Sequence, residues 1–269
     1  MAIQALNSAA TGLRALSTSI DVIANNLANA ETTAFKRSRV NFEDLMYITL
    51  KNPGAQSSNG DVAPTGIFVG LGTKLSNTTI DTAQGPLDSS SGPLDIAISG
   101  NGFFKVKTLP TIGSGVGYTR AGNFVLNKDG DMVLNIGDGY RLIPPITIPP
   151  GSTDINVGLD GVITYLKPGA TTRSNAGQLQ IAQFVNPQGL KLLGGSIYIE
   201  TDASGPPIDN NPGDNGAGQT MQGFLEGSNV DPVKELVSLI KTQRAFELNS
   251  QSIQTADQML QTIGNLRRF

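Results

Sequence analysis

Apolar residues recur every seven positions at both ends of the chain. Toward the C-terminus, Leu239, Phe246, Ile253 and Leu260 form one seam, and Thr242, Asn249, Ala256 and Ile263 fill a second beside it. Near the N-terminus, Leu6, Leu13, Ile20 and Leu27 repeat the spacing. Ala2, Ala9, Leu16, Ile23 and Ala30 lie alongside, while Asn7, Arg14 and Asp21 take outward positions. A strict heptad predicts helices packed lengthwise as a coiled coil, because ordinary core helices follow the 3.6-residue period more loosely. Two amphipathic helices in a globular core are the plainer alternative. Asp231 before Pro232 supplies a cap and a tolerated first position, and Arg267 and Arg268 place positive charge at the far end. A helix over this stretch extends roughly 55 Å, longer than a small domain is wide. It needs a partner, and the N-terminal repeat is one.

The pattern changes between the two repeats. Asn25 and Asn26 fall on flanking and outward heptad positions, where their amides can bond to a neighbouring chain or simply finish a helix in polar residues. Phe42, Leu45 and Met46 suggest a short amphipathic continuation. From Tyr47 to Gly92 the turn pairs Pro53-Gly54, Asn59-Gly60 and Gly85-Pro86 break any period, yet Ile67, Phe68, Val69, Leu71, Leu75 and Ile80 persist. That mixture predicts an extended, packed segment rather than a disordered linker.

From Pro93 to Gln219 the apolar positions alternate. Leu94, Ile96 and Ile98 precede a Gly100-Asn101-Gly102 turn and then Phe103 to Val106. Residues 123–126 and 132–134 are joined through Lys128-Asp129-Gly130-Asp131, a hairpin signal repeated in kind at Leu159-Asp160-Gly161-Val162. Residues 178–185 and 197–200 read as later strands, before a Gly/Pro/Asn-rich loop. The fold class is α+β. Residues 1–35 and 228–269 form a terminal helical coiled-coil domain, residues 36–92 an extended connecting segment, and residues 93–227 a mostly antiparallel β-rich domain.

Composition narrows the chemistry. The chain holds neither Cys nor His, which removes disulfides, thiolate metal sites, the commonest general base and the Ser/His/Asp and Cys/His nucleophiles. Charged residues make up only 15%, Gly and Pro number 32 and 15, and the net charge of −3 calls for neither nucleic acid nor an acidic membrane surface. No stretch has the apolar length of a membrane span or a signal h-region. Asn127 to Asp131 has a passing likeness to a calcium loop but lacks its sixth-position glycine and closing glutamate, so a hairpin turn is the better reading. The glycine-rich stretches 70–74 and 113–117 fit no phosphate-binding fingerprint, and no spacing nominates a catalytic carboxylate pair. The reading is a non-enzyme without cofactor or metal.

Several motifs together resemble a known family. Asn25-Asn26-Leu27-Ala28-Asn29 with Thr32-Thr33 and Phe35-Lys36 is similar to the N-terminal signature of the rod and hook proteins of the bacterial flagellum. Leu94-Asp95-Ile96-Ala97-Ile98 with residues 100–104 and 118–124 resembles their central motif, and residues 225–232, 243–247 and 255–260 resemble their C-terminal one. Within that family the likeness is greatest to subunits of the distal rod. Ala34 stands where the family usually has glycine, which bears on the local turn. The segment carrying Pro53, Gly54, Pro64, Gly66, Ile67 and Phe68 resembles the insertion that separates distal-rod from hook subunits.

The resemblance implies a structural subunit of the flagellar basal body, self-assembling into a stiff helical tube that transmits torque. It implies contacts with further copies, proximal rod proteins, the hook protein and the surrounding bushing rings, in a rod crossing the periplasm. It also implies export as an unfolded chain through the flagellar type III apparatus without a cleaved signal peptide. Assembly contacts are then expected at Leu6, Leu13, Ile20, Leu27, Asn25, Asn26, Leu239, Phe246, Ile253, Leu260 and Ile263. A hook or proximal-rod subunit, or a β-rich binding module on a helical stalk, uses the same parts.

Overall fold

A computed structural model describes residues 2–54, 64–109, 114–137 and 139–266. The class is α+β: one helix at each end, and a mostly antiparallel β-rich middle. The chain divides into two compact units.

The helical unit comprises residues 1–28, 38–79 and 231–269. Helix α1 spans Ala2–Ala28 and helix α2 spans Pro232–Leu266, and the two pack against each other. The cap of α2 sits where the sequence places it. Asp231 Oδ1 accepts the amides of Val233 at 3.1 Å and Lys234 at 3.2 Å, satisfying two donors that no helical carbonyl can reach. Lys234 Nζ lies 3.0 Å from the other carboxylate oxygen, and these contacts hold the carboxyl below its usual range. The basic pair expected at the other end, Arg267 and Arg268, lies outside the described residues.

Four strands complete this unit: β1 (Ser38–Asp44), β2 (Tyr47–Lys51), β3 (Ile67–Gly70) and β4 (Thr73–Ile80), paired β1 with β4 and β2 with β3. The amphipathic continuation expected around Phe42 is therefore a strand. Tertiary pairing decides it: the Asn41 amide donates to Asn77 Oδ1 at 2.7 Å and Thr79 Oγ1 at 3.3 Å across the ladder. Gly72 lets the β3–β4 turn approach α1. Its φ of +111° suits glycine, and a methyl group there would collide with Thr11 Oγ1 and lie 3.1 Å from Ser8 Cα.

The β-rich unit comprises residues 29–37 and 80–230. Its largest sheet uses β7 (Phe103–Lys107), β8 (Val116–Thr119), β11 (Leu142–Ile143), β15 (Ile181–Gln183), β16 (Lys191–Gly194), β17 (Ile197–Ile199) and β18 (Ile208–Asn210). The order is β16-β17-β8-β7-β15-β18, with β11 also on β7. Two short ladders pair strands from opposite ends of the unit. β6 (Ile96–Ser99) pairs with β19 (Gln219–Gln222), and β5 (Leu87–Ser89) pairs with β20 (Phe224–Glu226).

The predicted hairpin joins β9 (Phe124–Leu126) to β10 (Met132–Leu134). Its turn is an Asx turn, with Asn127 Oδ1 accepting the amides of Asp129 and Asp131 at 2.9 and 2.8 Å. The second predicted turn joins β12 (Thr153–Val157) to β13 (Val162–Leu166), with β14 (Arg173–Gln178) beyond it. One apolar cluster gathers Ile96, Ile98, Phe104, Phe124, Leu134, Ile163 and Ile181. A second centres on Phe103, Tyr118, Phe184 and Tyr198, whose rings meet edge to face.

Candidate functional site

Two sets of residues, one in each unit, answer to the motifs. The heptad positions come first. Along α2 the less exposed residues are Glu235, Ser238, Leu239, Thr242, Ala245, Phe246, Asn249, Ser250, Ile253, Ala256 and Leu260. They include the described heptad positions of α2, each at least partly covered, together with Glu235, Ser238, Ala245 and Ser250. On α1, Leu6, Leu13, Ile20 and Leu27 are half-buried as well, while Ala15 and Ile23 are buried. Gly12 faces Asn249, whose Nδ2 would lie 3.2 Å from a methyl group placed there, so the two helices approach closely at this level. The side chain of Ile263 lies outside the described residues.

The two asparagines part company. Asn25 is exposed, as its register implies. Asn26 is 1% exposed and satisfied within its own chain: it donates to the Ser38 carbonyl at 2.8 Å and to Glu235 Oε2 at 3.3 Å, and accepts the Ser38 amide at 3.0 Å. Its amide is thus not presented outward. The heptad register allows for α2 alone, whereas β1 covers α1 from a second side.

The remaining apolar surface of the helical unit faces water. On α2, Val233, Leu236, Val237, Ile240, Leu248 and Met259 are between 45% and 69% exposed. The β2–β3 hairpin adds Tyr47, Leu50, Ile67 and Phe68, all more than half exposed. Gly66, beside that hairpin, is partly buried, while Pro53, Gly54 and Pro64 are exposed. Residues 55–63 lie outside the described residues. A two-stranded ribbon with apolar groups in water is marginal by itself.

The second set escaped sequence reasoning, although each member lies inside a quoted motif. In the β-rich unit, Lys36, Arg120 and Glu226 meet, all under 5% exposed. Lys36 Nζ stands 2.6 Å from Glu226 Oε1 and donates to the Ala83 carbonyl at 2.7 Å. Arg120 Nη1 stands 3.3 Å from Glu226 Oε2 and donates to Glu226 Oε1 at 3.5 Å. Its Nε donates to the Gly102 carbonyl at 3.0 Å and its Nη2 to the Gly100 carbonyl. The Gly85 amide adds a 3.0 Å bond to the same carboxylate, and the Ala34 amide donates to the Glu226 carbonyl at 2.8 Å. Burial pushes the Lys36 ammonium below its ordinary value, with Glu226 pulling the other way, and burial lowers Arg120 too.

Asn229 extends the network. It accepts the Arg37 amide at 2.7 Å and donates to the Asp81 and Ala83 carbonyls at 2.9 and 3.0 Å. In a chain with so few charges, a charged residue inside each motif was the available signal.

Ala34 is fully buried beside this cluster with φ of +57°, the left-handed region. The position where the resembling family has glycine thus keeps a glycine-like backbone. No group of three or more metal-ligating side chains occurs among the described residues, and no described helix is long and apolar enough to cross a membrane.

Comparison with known proteins gives matches along most of the chain. Residues 6–36 match the family model described as flagella basal body rod protein, residues 97–165 the D1 domain of flagellar hook protein FlgE/F/G, and residues 221–266 the C-terminal region of flagellar basal body rod FlgEFG proteins. Among full-length relatives, a flagellar basal-body rod protein FlgG of Buchnera aphidicola from Schizaphis graminum is 46% identical over 256 residues, covering 95% of this chain and 96% of the relative. The FlgG of Caulobacter vibrioides is 43% identical over 265 residues, covering 98% and 99%. That of Bacillus subtilis is 38% identical over 274 residues, covering 99% and 100%.

Proposed function

The chain belongs to the flagellar basal-body rod protein FlgG family, and from that premise we propose that it polymerises into a stiff helical tube through its helical unit. It is a structural subunit of the basal-body rod, the distal rod being the role of this family, and it is not an enzyme. One observation carries the assembly reading. The seam between α1 and α2 is only half-buried, and the opposite face of α2 keeps Val233, Val237 and Ile240 in water. Neighbouring copies supply the missing cover, and the terminal helices act as a coiled coil whose outer face is shared. Fully burying one such side chain is worth about 1.5–3 kcal/mol. A head-to-tail contact of this kind does not close, so it propagates as a filament.

The seam positions Leu6, Leu13, Ile20, Leu27, Leu239, Phe246, Ile253 and Leu260 then set the pairing on which that surface depends, with Ile263 continuing the register and Asn25 at its edge. The hairpin segment of Pro53, Gly54, Pro64, Gly66, Ile67 and Phe68 wedges between neighbouring subunits and blocks their sliding, which distinguishes a shaft from a bending joint. Proximal rod proteins, the hook protein, the bushing rings and the type III export apparatus are the further partners, in a rod that crosses the periplasm.

Electron micrographs of the purified chain test the reading. The full chain gives straight tubes, Phe246→Asp gives none, and a chain lacking residues 52–65 gives curved or flexible ones. Tubes from Phe246→Asp contradict the seam, and straight tubes from the deletion make the hairpin a passive loop.

A further inference from the structure

The cluster at Glu226 joins four passes of the chain that are distant in sequence: residues 34–37, 81–85, Arg120 and residues 226–229. We propose that Glu226 and Asn229 form a latch that closes the β-rich unit last, fixing residues 34–37 only once residues 219–229 are seated. This is independent of the polymer, because every partner lies within one chain and one unit.

Topology supplies the first reason. β6 has β19 as its ladder partner and β5 has β20, so both early strands wait for the C-terminal end of the unit. These ladders are three and four residues long, too short to hold by themselves. Charge supplies the second. Lys36 and Arg120 are buried cations that share one carboxylate, and without it each must stay hydrated. A chain made from its N-terminus therefore keeps Lys36 and its neighbours open until Glu226 arrives. Asn229 then fastens the amide of Arg37 and the carbonyls of Asp81 and Ala83 with one side chain. The Phe35-Lys36 and Leu225-Glu226 motifs serve closure inside the molecule, not contact with a partner.

Native-state hydrogen exchange on the full, unassembled chain tests the latch. The amides of Ala34, Arg37, Asp81, Gly85 and Gly227 report on it, and those of Leu134, Ile148 and Leu179 report on the core. In the unaltered protein the five latch amides exchange through one shared opening, faster than the core amides. Glu226→Gln keeps the shape but removes the charge, and accelerates the latch amides by about a hundredfold while the core is unchanged. Adding Lys36→Met restores at least about tenfold of that protection, because one of the two cations is removed with the carboxylate and only Arg120 is left without its counter-charge. Latch amides that open only together with the core in the unaltered protein overturn the proposal, and this holds even where a variant fails to fold. Unchanged exchange in Glu226→Gln, or no restoration by Lys36→Met, overturns it as well.

Discussion

In the β-rich unit Ile96, Ile98, Phe104, Leu134 and Ile181 are wholly withdrawn from water, whereas in the helical unit Val233, Ile240, Leu248 and Met259 are more than half exposed. Among its described residues the helical unit buries two apolar side chains, Ala15 and Ile23, and two polar ones, Asn26 and Glu235. One unit closes on itself; the other leaves apolar side chains in water. The polar pair is informative here. Asn26 and Glu235 bond to each other, fixing the start of α2 beside the end of α1 without adding much apolar burial. The helical unit thus gains register from hydrogen bonds, and under the proposed assembly its neighbours would supply the missing apolar cover.

Truncation separates the two units most sharply. Phe104→Ala removes a fully buried ring packed against Phe124, and should cost about 3–5 kcal/mol in urea unfolding of the unassembled chain followed by tyrosine signal. Ile240→Ala should stay within about 0.5 kcal/mol in the same assay yet slow or abolish polymerisation. Similar costs for both would erase the distinction between a core and a docking face.

A smaller effect tests what order the helical unit has before assembly. Gly72→Ala forces a side chain into a left-handed backbone against Ser8 and Thr11. It should cost about 1–3 kcal/mol of local stability, read as faster amide exchange near residues 8–11 with the β-rich unit unaffected.

The smallest concerns Ala34. Replacing it by glycine relieves about 1–2 kcal/mol of left-handed strain, but gives up a buried methyl worth about 0.8 kcal/mol and adds about 0.5–1 kcal/mol of backbone entropy. The net change in unfolding free energy should lie within about 1 kcal/mol of zero. Ala34→Val, branched at Cβ in the same conformation, should be clearly destabilising.

What could be read in the sequence follows from how local its cause is. The α2 start was legible because Asp231 accepts amides two and three residues away and Pro232 suits the first helical position. The β9–β10 hairpin was legible because the Asn127 side chain makes its turn within four residues. Strands such as β14 and β18 are polar and take their conformation from a partner strand, so no local pattern announces them. β1 misled for the same reason, since Phe42 fits a helix with Leu45 and Met46 until β4 claims the backbone of residues 38–44. The ion cluster was the least legible: Lys36 and Glu226 stand 190 positions apart, and nothing local joins them. The heptads point to one face of α2 and leave its apolar outer face unmarked, because a seven-residue repeat describes one seam at a time.

Amide exchange along α2, measured first on the unassembled chain and then on the polymer, tests most directly whether the helical unit is completed by neighbouring copies. The amides around Phe246 and Ile253 should be weakly protected in the free chain and gain at least about a hundredfold on assembly, while those of Leu134, Ile148 and Leu179 do not change. Equal protection of α2 and the β core in the free chain, with no gain in the polymer, would contradict it.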